Sequence, residues 1–231
     1  MTWQGQRAPI DAALLHLVRG LVPVPRVLDL RRADPTRPGE PAHLLTTYEP
    51  GVRLEDVLPH ADPALGRSLA ASLGGVLATL SGIAFLRPAM FLDADLMLSV
   101  QAAPAPDLVA WLDQHAAISV LSTWDPRLLH SLRQVCDRAD GLLDGVRRSC
   151  LVHSDFNPKN ILVDPASGAV TAVLDWEYAH AGSPYADLGN LLRFERGTAW
   201  AHDVLDAFVQ RVPDLASDPL RLAYAGDLCP R

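Results

Sequence analysis

Between Leu151 and Asp164 the chain reads LVHSDFNPKNILVD, and Val173-Leu174-Asp175-Trp176-Glu177 follows shortly after. His153, Asp155 and Asn160 stand at H-x-D-x-x-x-x-N spacing. Asn160–Asp164 and Val170–Leu174 have the character of strands, and Pro165-Ala166-Ser167-Gly168 between them suits a hairpin connection. Antiparallel strands joined by a tight turn bring the start of the first beside the end of the second. Asn160 and Asp175 are therefore expected to be neighbours, with Asp155 in the loop just ahead of them. Two carboxylates and an amide oxygen then converge, a donor set that suits Mg²⁺, which takes oxygen ligands and shares them with phosphate groups. Phosphoryl transfer uses such a set: the cation neutralises charge on the phosphate, and a carboxylate positions the attacking hydroxyl and accepts its proton. A metal-dependent hydrolase built on His153, Asp155 and Asp175 is a weaker alternative, because no second metal-ligand histidine stands near the cluster.

Together with the later Asp187-Leu188-Gly189, these segments resemble the aminoglycoside phosphotransferase and choline kinase family, which has a protein-kinase-like fold. The resemblance is specific from Leu151 to about Arg193 and looser back to about residue 10. It implies ATP as phosphate donor, Mg²⁺ as cofactor, and a hydroxyl of a small, amine-bearing molecule as the leading acceptor. Asp155 is implied as the catalytic base, and Asn160 and Asp175 as the metal ligands. His153 is implied as a structural residue of the catalytic loop, and Asp187 as a brace beneath its backbone. Lys159, the only lysine of the sequence, is implied to reach the γ-phosphate; a solvated loop lysine is the alternative. Thr47-Tyr48-Glu49 looks like the hinge whose backbone hydrogen-bonds adenine. Glu177 either meets substrate or metal-bound water or is simply solvated. Residues 1–50 then form a partial small lobe ending in the hinge, and residues 51–231 a mainly helical large lobe holding the catalytic β-hairpin.

The chain departs from that pattern in places. The family often has Leu-His where this chain has Leu80-Ser81. A phosphate-covering loop and a lysine paired with a helical Glu are implied before the hinge, but no lysine precedes Lys159 and the helix at 8–20 offers only Asp11. A fragment or misplaced start, a pseudokinase, and a small lobe completed by a partner all fit. The expectation for these residues alone is weak ATP binding and slow transfer, with the first 50 residues mobile or paired in a homodimer across an open sheet edge. A catalytically weak binding or regulatory protein is the alternative from another class.

The elements that must hold these residues follow from periodicity and turn chemistry. Ile10, Ala13, Leu14, Leu17, Val18 and Leu21 recur at helical spacing, predicting a helix over 8–20 closed by Gly20. Arg26–Leu30 and His43–Tyr48 read as strands flanking a polar loop at 34–39. Helices are expected at 54–58, 64–83, 107–117, 126–147, 184–194, 199–211 and 219–224, and a strand at 149–152. The fold class is thus α+β. A formal net charge of -7 over 231 residues argues against non-specific nucleic-acid binding. No apolar run approaches the roughly 20 residues of a membrane helix, and the first residues lack a secretory-signal layout, so a cytoplasmic setting without membrane is expected. Cys136, Cys150 and Cys229 fit neither a zinc pattern nor a disulfide framework.

Overall fold

The computed structural model describes residues 3–32, 36, 40, 42–100, 107–212 and 218–228. Apart from Thr36, the loop expected at 34–39 lies outside these residues, as does Cys229.

Helix α1 (Trp3–Val18) begins well ahead of residue 8. Pro9 marks a first turn in sequence terms, because the missing N–H is harmless there, yet the helix runs through it. Ile10, Leu14, Leu15 and Val18 form its buried face. Gly20 takes φ +81, and the N–H groups of Leu21 and Val22 donate back to Val18 O at 3.0 Å, so the helix ends two residues earlier than the periodicity suggests. Strands β1 (Val27–Arg31) and β2 (His43–Thr46) pair antiparallel as a two-stranded sheet packed on α1.

The hairpin expected after the H-x-D motif consists of β6 (Ile161–Val163) and β7 (Val170–Val173), with Asp164 closing its turn. The Asp164 carboxylate accepts from Ser167 Oγ and Ala166 N–H, and these bonds hold it below the usual carboxylate range. Asn160 does not open the strand as expected but ends a short 3₁₀ turn, Pro158–Asn160. A third strand, β3 (Val52–Arg53), pairs with β6. A second sheet has the order β4-β5-β8, from Ala84–Phe85, Ser149–Val152 and His180–Gly182. Residues 51–231 therefore hold more sheet than the single hairpin expected. Two- and three-residue strands are too short for alternation to show in sequence.

After α2 (Leu54–Val57), the chain enters α3 (Pro63–Gly82). The Asp62 carboxylate accepts from the N–H groups of Ala64 and Leu65, each at 2.8 Å, and Pro63 occupies the first turn. Leu69, Leu73, Leu77 and Leu80 are buried. The helix packs closely on α7 (Ala199–Val209), where a Cβ on Gly74 would lie 2.6 Å from that of Ala207. By length and composition α3 would suffice to cross a membrane, contrary to the expectation of no such run; half of that stretch is buried inside the fold. Ser81, in the Leu80-Ser81 pair, is buried and donates to Ala78 O at 2.8 Å. Helices α4 (Leu108–His115) and α5 (Pro126–Leu143) pack together, and the Asp140 carboxylate of α5 accepts from the N–H groups of Leu108 and Val109. Helices α6 (Ala186–Leu191) and α8 (Pro219–Gly226) complete the described fold. The core runs continuously from Leu14 on α1 through Phe156 to Phe208 on α7. Burial of each such side chain contributes about 1.5–3 kcal/mol.

Candidate active site

Strand β5 delivers the chain to His153 and Ser154, where α6 takes hold of it. Asp187, buried near the start of α6, accepts from His153 N–H at 2.7 Å and from Ser154 N–H at 2.8 Å. Asn190, one turn on along the same face, donates from Nδ2 to Ser154 O at 3.0 Å. Ser154 is thereby gripped at both polar backbone atoms in a left-handed conformation, φ +71, that serine rarely adopts. Sequence reasoning named Asp187 and missed Asn190; its position one helical turn after Asp187 was the available signal.

The His153 ring is fully buried between Phe156 and Trp176, edge-on to the indole with centroids 4.8 Å apart. Its Nε2 lies 2.8 Å from Leu174 O, and its Nδ1 accepts from Asp155 N–H at 3.2 Å. A carbonyl can only accept, so Nε2 carries the proton and Nδ1 does not. In this arrangement both ring nitrogens hold backbone atoms, tying the loop to the end of β7.

Three donors converge on the Asp155 carboxylate. Asn157 Nδ2 donates to Oδ1 at 2.6 Å, Asn160 Nδ2 to Oδ2 at 2.8 Å, and Lys159 Nζ lies 3.2 Å from Oδ2. Asn160 Nδ2 also donates to Asp155 O at 3.0 Å, which assigns the nitrogen of that amide to Asp155. Asn157 was not singled out from sequence, although it lies within the same motif.

Leu174 N–H donates to Asn160 O at 2.9 Å, so the backbone of Asn160 lies directly against the residue preceding Asp175. Asp175 is exposed and takes φ +64. It lines a cleft of about 240 Å³ with Glu177 on one side and Asp11, Leu15, Leu44 and Thr46 on the other. The Asp11 carboxyl is raised above its ordinary value by burial, which outweighs the Arg7 guanidinium 2.7 Å away; the charges of Glu177 and Asp175 push in the same direction as burial. Arg7 itself is buried and reaches Trp176 O at 2.6 Å, a contact no sequence signal had flagged.

Among the described residues no group of three or more His, Cys, Asp or Glu side chains gathers as a metal cage. The oxygen donors at hand are carboxylates and an asparagine amide, the chemistry of a hard cation that fills its sphere with phosphate and water oxygens. Thr47 lies at the end of the β1–β2 pair: its N–H donates to Arg26 O at 2.9 Å, its Oγ1 accepts from Arg26 N–H at 2.8 Å, and its hydroxyl donates to Glu49. Tyr48 is almost fully exposed beside it. The residues of this strand that face the cleft are Leu44 and Thr46.

A loop clamped from a helix below, an aspartate ringed by amide and ammonium donors, and a hairpin ending in a second aspartate define the protein-kinase-like phosphotransferase class. The chain belongs to the phosphotransferase enzyme family, which it matches over residues 2–221. Its α+β fold is that of aminoglycoside phosphotransferases. It superposes with TM-score 0.64 and 20% identity on APH(4)-Ia in ternary complex with ADP and hygromycin B, covering 96% of this chain and 72% of that one. With the GDP and kanamycin complex of APH(2")-IIia the TM-score is 0.70 at 19% identity, covering 96% and 71%. In sequence, the chain is 32% identical over 177 residues to acyl-CoA dehydrogenase family member 10 of Mus musculus, covering 72% of this chain and 15% of that protein. It is 35% identical over 74 residues to hygromycin-B 4-O-kinase of Escherichia coli, covering 32% of this chain and 21% of that protein. The chain thus spans a small part of the curated relatives it matches.

Proposed function

We propose that this chain transfers the γ-phosphoryl group of ATP to a hydroxyl of a small molecule, with amine-bearing alcohols the first acceptors to test. The observation that carries this is the convergence of Asn157, Asn160 and Lys159 on the Asp155 carboxylate, in a loop locked by Asp187 and His153. In this reading Asp155 accepts a hydrogen bond from the acceptor hydroxyl, orients its lone pair and takes its proton as the new bond forms. Asn157 and Asn160 fix the rotation of the carboxylate. Lys159 places a positive charge beside the transferring group. Asn160 and Asp175 would hold Mg²⁺, which when bound neutralises phosphate charge. Thr47, Tyr48 and Glu49 form the edge against which the base of the nucleotide lies. ADP in one structural neighbour supports ATP as donor, while GDP in another makes GTP the donor to compare. A cytoplasmic setting supplies that donor, and the net charge of -7 is compatible with a cationic acceptor.

A nucleotide-binding protein with little turnover is the second reading. The observation favouring it is that the Arg7–Asp11 ion pair is internal to α1, with no lysine elsewhere than position 159 to clamp phosphates. One experiment separates the two. ADP formation from Mg-ATP is followed with a panel of aminoglycosides, choline-like alcohols, homoserine and sugar amines. Transfer to a panel member that falls at least about 100-fold in Asp155→Asn, with Mg-nucleotide affinity nearly unchanged, supports the enzyme. Mg-ATP binding without transfer to any alcohol supports the second reading. An Asp155→Asn variant that turns over like the parent removes Asp155 as the base.

A further inference from the structure

The Asp175-Trp176-Glu177 segment is a turn held from two directions. Ala179 N–H donates to Trp176 O at 3.0 Å, and the Trp176 indole, itself buried, donates from Nε1 to Val173 O at 3.0 Å. These bonds are local and shape the turn, while Leu174 just ahead of it is tied to Asn160 and His153 and the Trp176 ring packs edge-on against His153. A separate link, to the backbone of the turn itself, comes from α1. Arg7 Nη2 donates to the same Trp176 O at 2.6 Å, and Arg7 Nε to Asp11 Oδ1 at 2.7 Å. One guanidinium therefore ties the helix that forms one wall of the cleft to the turn that forms the other.

We propose that Arg7 is a positioning residue for the Asp175-Trp176-Glu177 turn, holding from α1 the backbone that presents the Asp175 and Glu177 carboxylates to the cleft. Two features demand such a brace. Asp175 sits at φ +64, a conformation that a non-glycine residue keeps only when its surroundings over-determine it. The cleft is also lined by three carboxylates, Asp11, Asp175 and Glu177, with no cationic side chain among its lining residues. Arg7, buried on α1, sets a positive charge against Asp11 at one wall and against the Trp176 carbonyl at the other. The planar fork matters as well as the charge. Lysine at this position would keep the charge but, with one nitrogen in place of a fork, would not hold both Asp11 and Trp176 O in this geometry.

The consequence for metal and nucleotide rests on the function proposed above; the brace itself does not. The test combines hydrogen exchange of the free protein, read peptide by peptide, with the Mg²⁺ dependence of ATP binding, in Arg7→Gln and Arg7→Lys. Arg7→Gln is expected to speed amide exchange over residues 176–179 at least about 10-fold while α3 and α7 keep their protection. It should also raise the Mg²⁺ concentration for half-maximal ATP binding about 10-fold, because the carboxylates lose both their aim and their counter-charge. Arg7→Lys should recover part of the Mg²⁺ dependence and leave exchange at 176–179 fast. Unchanged exchange at 176–179 in both variants overturns the proposal. So does an increase spread equally through α3 and α7, which marks a residue that only stabilises the whole. If Arg7→Gln does not fold, Arg7→Lys decides by the same exchange criterion. If the parent binds no Mg-ATP, the proposed function falls and the exchange result still decides the role of Arg7.

Discussion

Asp187 offers the sharpest quantitative test of how the loop carrying Asp155 is held. Its two carboxylate oxygens each accept one backbone N–H, from His153 at 2.7 Å and Ser154 at 2.8 Å, and the side chain is buried. Asp187→Ala removes both acceptors and leaves two donors, one buried and one partly buried, without a partner. An unsatisfied buried donor costs about 1–3 kcal/mol, so the pair sums to about 4 kcal/mol. Asp187→Asn keeps one acceptor and turns an NH₂ toward the other N–H, for about half that loss or slightly more. At roughly 2–4 °C per kcal/mol for a chain of this size, Tm should fall by about 8–16 °C in Asp187→Ala and about 4–8 °C in Asp187→Asn. Both losses sit within an ordinary stability of 5–15 kcal/mol, so both variants should fold at 20 °C. Calorimetry gives the ordering, and phosphoryl transfer should fall in the same order, because Asp155 follows immediately on the released Ser154. If the two variants melt together, within a degree of the parent, the carboxylate is not what holds the loop.

Other expectations follow from neighbouring features. A Cβ on Gly189 would meet Ala223 O of α8 at 2.0 Å, so Gly189→Ala should cost about 1–3 kcal/mol in a urea melt by forcing α6 and α8 apart; a neutral result would show that α8 yields freely. Burial and the nearby Asp187 charge push the Cys150 thiol up to about 12, so iodoacetamide at pH 8 should leave it unlabelled until the protein unfolds. Because Asp11 has its carboxyl raised above the ordinary 3.8 in the folded state, its ionisation opposes folding, and the stability it lends at low pH is lost as pH rises through the folded value. The stability of Asp11→Asn relative to the parent should therefore increase from pH 4 to pH 7 in urea melts, and a difference that shrinks over that range would reverse the assigned sign.

Much of the site was legible in the sequence because its chemistry is local. His153, Asp155, Lys159 and Asn160 lie within eight consecutive positions, and the Pro165–Gly168 turn announces that Asp175 returns to them. Long elements were legible for a related reason: the apolar face of α3 and the cap at Asp62 repeat a signal over many residues. Strands β3, β4 and β8 were not, since pairings such as Val52 with Val163 and Cys150 with Gly182 are set by partners distant in sequence. Arg7 was hidden for the same reason. The periodicity starts the first helix at residue 8 and leaves Arg7 outside it, and only the arrival of the Trp176 carbonyl from the far end of the chain gives it a buried partner.

Ser154 and Asp175 show how the fold divides the work of holding the site. Each is a non-glycine residue in the left-handed region, one immediately before the candidate base and the other a candidate metal ligand. Such a conformation costs on the order of 1–3 kcal/mol and persists only where other contacts outweigh it. At Ser154 those contacts come from α6, through Asp187 and Asn190. At Asp175 they come from the Trp176 indole bonded to Val173 and from Arg7 of α1. The His153 ring lies between, accepting from Asp155 N–H and donating to Leu174 O, so neither strained residue can relax without disturbing the bond that joins them. Glycine at either position would remove the strain and also the reason for the backbone to keep one geometry. The two carboxylates are therefore placed by clamps on separate elements coupled through one histidine, and His153→Ala should loosen both loops at once where Asp187→Asn loosens chiefly the first.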